Sequence, residues 1–179
     1  MTAPGGGLAA LLGVDPGLVT GTVAALRARS WTVATAESLT AGLLTAVLTE
    51  VPGASAVVRG GLVVYATDLK HSLAGVDRHL LDRVGAVHPQ VAEQLAAGAR
   101  SRCGATIGVG LTGVAGPDPQ DGIEVGTWFC ALSGPTGTPT SVHGSPAELP
   151  TGSATAVRAA VRAAAVTGAL ELLYRVVTG

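Results

Sequence analysis

The sequence predicts a three-layer α/β/α domain with a mixed, mostly parallel sheet. Three observations point to it. Helical stretches alternate with short buried strands along most of the chain, and a hairpin-like pair of strands follows them. The chain is 47% hydrophobic but only 3% aromatic, so its core is built from closely packed Ala, Val and Leu. At 179 residues it fits one domain with a full-sized core.

Residues 1–15 are rich in Gly, Pro and Ala and are expected to be a flexible N-terminal segment, leaving 16–179 as a single domain. A helix is expected from about Leu18 to Arg29, with Leu18, Val19, Val23 and Leu26 as its apolar stripe. "WTVATAES" reads as a buried strand, and "LTAGLLTAVLTEV" returns to helical spacing until Pro52–Gly53. "GGLVVYAT" is the second strand, and Asp68 in "DLKHSLAGV" suits a helix N-terminus. "HPQVAEQLAAGARSRC" is an amphipathic helix with Pro89 in its first turn. "ATIGVGL" is the third strand, followed by the loop "TGVAGPDPQDGIEVG". "TWFCALSG" and "TPTSVHG", joined by "PTG", form an antiparallel hairpin. The segment from about Thr151 to Val177 is one long Ala-rich helix.

Composition excludes several functions. The net charge is −1 and no run of Lys or Arg tracks a face, so nothing supplies the phosphate neutralisation that nucleic-acid binding needs. Cys103 and Cys130 are far apart and outside any CxxC spacing, which argues against a disulfide framework or a zinc site and for reduced thiols. No apolar run reaches the roughly 18 residues of a membrane span. The start "MTAPGGGLAALLGVDPG" has no positively charged n-region, so a signal peptide is not expected. These features together predict a cytoplasmic protein with neither nucleic-acid nor membrane partners.

In folds of this class ligands sit beyond the carboxyl ends of strands. Three such loops carry small residues and hydroxyls: "TAESLTAG", "YATDLK" and "LTGVAGPD". Ser38 lies where the first strand passes into a helix. It is either a helix N-cap or a nucleophile beside the backbone N–H groups of Thr40, Ala41 and Gly42, which can hold an oxyanion or an anionic ligand. A nucleophilic serine needs a base. None of His71, His79, His88 and His143 falls in a strand-end loop with an acidic partner, and no GxSxG elbow occurs. Lys70 is the only lysine, against ten arginines. A lysine amine can be neutralised by burial and then take up a proton, whereas an arginine effectively cannot. Lys70 is therefore either the base or an accident of composition. Tyr65, at the strand end five residues earlier, either relays a proton or orients the amine, or else anchors a strand edge.

Two motifs are set aside. "GVGLTG" matches G-x-G-x-x-G, but "VAGPDPQDG" follows it where the dinucleotide fingerprint requires a helix. Asp118, Asp121 and Glu124 read as a solvated loop, without further ligands at metal spacing.

The blocks "TAESLTAGLLTAVLTEVPGASAVVRGGLVVYATDLKHSLAGV" and "GVGLTGVAGPDPQDGIEVGTWFCAL" resemble the C-terminal domain of the competence/damage-inducible protein CinA. That family includes stand-alone nicotinamide-nucleotide amidases. The resemblance implies hydrolysis of nicotinamide mononucleotide to nicotinate mononucleotide and ammonia, in pyridine-nucleotide salvage, with no metal and no cofactor. It also implies a small-molecule nucleotide substrate and a homo-oligomer, dimer or higher. By the same resemblance Ser38 attacks the carboxamide, Lys70 is the base, and Tyr65 and Thr112 position the dyad or the substrate. Thr40, Ala41, Gly42, Gly113, Ala115 and Arg158 then contact the substrate. The chain departs from the family pattern at Ala41, where glycine is usual, and at Ala154, where an arginine is usual. Two other readings compete: a catalytically weak relative that binds a nucleotide or a protein partner, and an amidohydrolase acting on another carboxamide.

Overall fold

Val33–Glu37 (β1) is a strand of small and β-branched residues buried on both faces, and the sheet is built around it. β1 pairs in parallel with Val58–Val63 (β2) on one side and Ile107–Gly113 (β3) on the other. Trp128–Ser133 (β4) adds antiparallel to β3, and Thr140–Gly144 (β5) antiparallel to β4, giving the order β2-β1-β3-β4-β5. The computed structural model describes residues 7–135, 140–144, 149 and 151–179. The hairpin expected near residue 135 is therefore present as a strand pair, while residues 136–139 of its turn lie outside the described residues.

Helices cover both faces. Pro16–Ala28 (α2), Leu43–Thr49 (α3) and the 25-residue Ala154–Thr178 (α7) pack on one face, where Val33, Ile107, Val109 and Leu111 meet Leu26, Leu44, Leu170 and Leu173. Pro89–Cys103 (α6) lies across the other face, with Thr67–Ser72 (α4) and Arg78–Val84 (α5) beside it. Ala34, Ala36 and Val64 pack there against Leu80, Val91 and Leu95. The result is the three-layer α/β/α domain, parallel through β2-β1-β3 and antiparallel beyond. Cys130 is buried in the first core, Cys103 is half-buried, and both are free thiols. Among the described residues no helix is long and apolar enough to cross a membrane.

Local signals set the helix ends. Asp15 accepts from Gly17 N at 2.8 Å with Pro16 opening α2. The His88 ring accepts from Gln90 N at 3.3 Å with Pro89 opening α6, which ends on left-handed Gly104. Several expectations need correction. Residues 1–6 of the segment expected to be flexible lie outside the described residues, but Leu8–Leu11 form a short helix (α1) whose Leu8 and Ala9 amides donate to the Glu50 carboxylate. Asp68 is not the cap of α4 but sits in its first turn, after Ala66. α3 starts at Leu43, because Ala41 (φ 50°) and Gly42 (φ 93°) are left-handed and keep the chain out of the helix until then. α5, capped by Asp77, was not anticipated.

The glycines of "GVGLTG" serve packing. A Cβ on Gly108 would stand 1.9 Å from Ala96 O, and one on Gly110 2.1 Å from Ala92 O, so α6 lies directly on the backbone of β3. Gly110→Ala is expected to destabilise the fold by about 1–3 kcal/mol or more through overpacking. Urea unfolding of the two proteins measures it, and an unchanged midpoint would show that α6 can move away.

Candidate active site

The ladder around β1 runs one residue past the strand on both sides. Ser38 N donates to Leu111 O at 3.0 Å, and Val64 N donates to Glu37 O at 2.9 Å. The ends of β1, β2 and β3 are therefore locked in register where the strand order reverses, the usual ligand position in such sheets. A cleft of about 130 Å³ opens there. One water occupies roughly 10–15 Å³ on that measure, so the cleft has room for a small organic group.

Ser38 and Leu39 line the cleft from the end of β1, and Tyr65 and Lys70 from the segment after β2. The end of β3 contributes Thr112 and Gly113, and the loop after it Val114 to Gly116, with Asp118 and Gln120. Arg158 reaches in from α7, and Ala86 and Val87 supply an apolar wall from the α5–α6 connection. Of the residues expected from the sequence, Ser38, Tyr65, Lys70, Thr112, Gly113, Ala115 and Arg158 thus share one cleft. Thr40, Ala41 and Gly42 do not line it. Ala41 is exposed, so its extra methyl does not narrow the cleft, and Ala154 is exposed in the first turn of α7, one turn before Arg158. The wall from Ala86 and Val87 and the rim residue Asp118 were missed as site residues. The strand-end rule applied to the whole of "TGVAGPDPQ" flags Asp118, whereas Ala86 and Val87 lie between two helices, where that rule gives no signal.

Lys70 is 1% exposed, the largest side chain among the fully buried described residues. Its Nζ donates to Val64 O at 3.0 Å and to Tyr65 O at 3.1 Å. Burial lowers its pKa from 10.5 to about 8, against the opposing pull of the Asp68 carboxylate. The neutral amine has two N–H groups, which match the two carbonyls. Its lone pair is then left as the one unengaged direction at a tetrahedral nitrogen. Among the described residues no hydrogen bond joins Nζ to Ser38 Oγ; the two groups meet as linings of the same cleft.

The lowered pKa has a stability consequence of definite sign. Between about pH 8 and 10.5 the unfolded chain holds the Lys70 proton and the folded chain does not, so stability rises with pH across that window. Below it both states are protonated and the burial penalty on the ammonium is fully present. Relative to Lys70→Met, the parent is expected to gain stability between pH 7.5 and 10, read as denaturation midpoints. Parallel midpoints over that range would show that burial does not perturb the amine.

The turn after Ser38 is organised by Glu37. This carboxylate is fully buried. Oε2 accepts from Gly42 N (3.0 Å) and Leu44 N (3.1 Å), and Oε1 from Thr45 N (2.9 Å), Thr45 Oγ1 (2.7 Å) and Thr35 Oγ1 (3.0 Å). Glu37, not Ser38, caps α3, and its charge already occupies the positive end of that helix. The expectation of free amides at Ala41 and Gly42 is corrected, because Ala41 N donates to Ser38 O and Gly42 N to Glu37. The amides of Leu39 and Thr40 have no acceptor among the described residues, and Leu39 lines the cleft.

Tyr65 is corrected in its manner of acting. Its main-chain carbonyl holds Lys70, while its hydroxyl accepts from Arg158 Nη2 at 3.0 Å. Arg158 Nη1 donates to Gly116 O, so among the described residues this guanidinium has uncharged oxygens as its partners. Thr112 Oγ1 donates to Ala86 O at 2.6 Å, which ties the apolar wall to β3 and leaves the oxygen as an acceptor. Two of the histidines hold local structure: His71 Nδ1 contacts Val76 O, and His88 caps α6. Among the described residues no three His, Cys, Asp or Glu side chains gather as metal ligands.

Fold and cleft together define an α/β/α domain with a serine and a buried amine at the reversal of its strand order. The chain belongs to the CinA C-terminal domain family, whose model matches residues 17–177. A CinA-like protein of Frankia casuarinae is 47% identical over 167 residues, 93% of this chain and 36% of that protein. A putative competence-damage inducible protein of Bacillus subtilis is 42% identical over 119 residues, 66% of this chain and 29% of that one. The chain thus spans about a third of the length of these relatives. Among solved structures, the competence/damage inducible protein CihA of Agrobacterium tumefaciens superposes with a TM-score of 0.83 at 31% identity, covering 100% of both chains. A CinA superfamily protein of Escherichia coli gives 0.78 at 28% identity, covering 89% of this chain and 88% of its own.

Proposed function

We propose that the chain is an amidase that hydrolyses the carboxamide of nicotinamide mononucleotide to nicotinate mononucleotide and ammonia. The observation that carries this reading is Lys70. It is a buried amine with a lowered pKa and two N–H acceptors, on the same cleft as a serine hydroxyl.

In the first half-reaction Ser38 Oγ attacks the carboxamide carbon while neutral Lys70 removes the hydroxyl proton. The developing oxyanion is met by the Leu39 amide, which has no acceptor among the described residues and belongs to a residue that lines the cleft. The tetrahedral adduct collapses as Lys70 returns the proton to the amide nitrogen. The C–N bond breaks, ammonia leaves, and an ester remains on Ser38. A water deprotonated by Lys70 then attacks the ester carbonyl, and Ser38 departs with the proton. Arg158, whose partners are uncharged oxygens, suits the anionic end of a nucleotide, and the Ala86–Val87 wall suits a planar ring. Ammonia release from a panel of nicotinamide, its riboside, its mononucleotide and glutamine tests the reading. The mononucleotide is expected to be the preferred substrate. Preference for another carboxamide would favour the broader amidohydrolase reading, and absence of release from every member would favour a binding role.

A further inference from the structure

We infer that Glu37 is a positioning residue for the Ser38 nucleophile, holding the turn that aims the hydroxyl. The inference rests on the amidase reading and adds to it a residue that never touches the substrate.

Glu37 is the last residue of β1 and Ser38 the next in the chain. Its carboxylate reaches forward to Gly42, Leu44 and Thr45, so a single side chain closes the Ser38–Gly42 turn onto the strand from which the turn departs. The turn needs that closure. Ala41 at φ 50° and Gly42 at φ 93° are successive left-handed residues, and left-handed backbone is unfavourable for any residue with a Cβ. From the outer side Arg162 Nη2 donates to Thr40 O at 3.1 Å. Behind the turn, Ser38 N is fixed on Leu111 O. Ser38 thus stands on a segment pinned at its root, its apex and its exit, with Glu37 as the exit pin.

The demand on this side chain is specific. All three backbone partners are obligate donors, two on Oε2 and one on Oε1, and two threonine hydroxyls also donate to Oε1. A glutamine in its place turns one acceptor oxygen into an NH₂ that faces at least one backbone N–H in either orientation. The turn must then shift. A displacement of about 1 Å in a reacting group can cost on the order of 10²-fold in rate.

A purely structural cap would lower stability and nothing else, so the test reads Ser38 directly. Parent, Glu37→Gln and Thr45→Val are compared well below their unfolding midpoints. The measurements are kcat and KM for ammonia release from nicotinamide mononucleotide, and the rate at which a small sulfonyl fluoride modifies Ser38. For Glu37→Gln a fall of at least about tenfold in kcat and in labelling is expected, with KM within about threefold. Thr45→Val removes one donor from Oε1 and keeps the charge, and a smaller fall of about threefold is expected in both readouts. A folded Glu37→Gln with parental kcat and labelling, whatever its midpoint, overturns the inference. If Glu37→Gln does not fold, Thr45→Val decides, and parental values for it overturn the inference. A parent that is labelled at Ser38 but releases no ammonia defeats the amidase reading instead, and the labelling rates still decide the role of Glu37.

Discussion

Ser38→Ala is expected to lose at least about 10³-fold in turnover, roughly 4 kcal/mol of barrier, while keeping the parental fold. Under the proposed chemistry the Ser38 hydroxyl supplies the bond that replaces C–N, and no other hydroxyl in the cleft is equivalent. Thr112 commits its proton to Ala86 O, and Tyr65 turns its hydroxyl to Arg158. Stability should change by less than about 1 kcal/mol, because the substitution strikes none of the features that produce large losses. The Ser38 side chain caps no helix, since α3 is held by Glu37, and the residue's fixed contact is its backbone N–H to Leu111 O, which alanine retains. Steady-state ammonia release and a thermal melt of both proteins check the two halves. A well-folded alanine variant with parental turnover would make Ser38 a bystander.

Lys70→Arg should lose about 10²–10⁴-fold in kcat, the range for a positioned general base. Arginine keeps the positive charge and can still donate to the Val64 and Tyr65 carbonyls, but it cannot shed its proton at any working pH. A role confined to fixed charge would therefore survive the exchange. The pH dependence adds a second reading. Because the neutral amine is the active form, parental kcat/KM should rise with pH through about 8, and the residual rate of the arginine variant should lack that rise. Lys70→Gln, neutral and also unable to take up a proton, is expected to show the same loss, which covers the case in which the larger guanidinium fails to fit. Variants within a few-fold of the parent with an unchanged pH profile would remove Lys70 from the chemistry.

Much of this arrangement is legible in the sequence, for physical reasons. Alternation of buried strands and helical spacing fixes the layers, and the rule that ligands lie beyond strand ends brings Ser38, Lys70 and Thr112 together before any coordinates. A solitary lysine among arginines marks Lys70 as a candidate base by composition alone, and the structure buries that amine on the cleft.

What stays hidden depends on contacts remote in sequence or on a turn folding back. Glu37 sits among small residues with no ligand spacing, and its role appears only when the chain returns five to eight residues later through two left-handed positions. The bond between Tyr65 and Arg158 spans 93 positions, so nothing local could show which group the Tyr65 hydroxyl meets. α5 is only seven residues long, too short for helical periodicity to stand out, and the Ala86–Val87 wall that follows it was missed with it. The "GVGLTG" stretch shows the opposite hazard, a motif whose Gly108 and Gly110 make room for α6 and whose Gly113 makes room for Trp128 of β4.

The most direct test of the account is mass spectrometry of the protein acid-quenched during turnover of nicotinamide mononucleotide. The predicted result is an ester of nicotinate mononucleotide on the peptide carrying Ser38, formed during turnover and absent from Ser38→Ala. Sustained ammonia release with the acyl group found on a different residue, or with no acylated residue at any quench time, would contradict it.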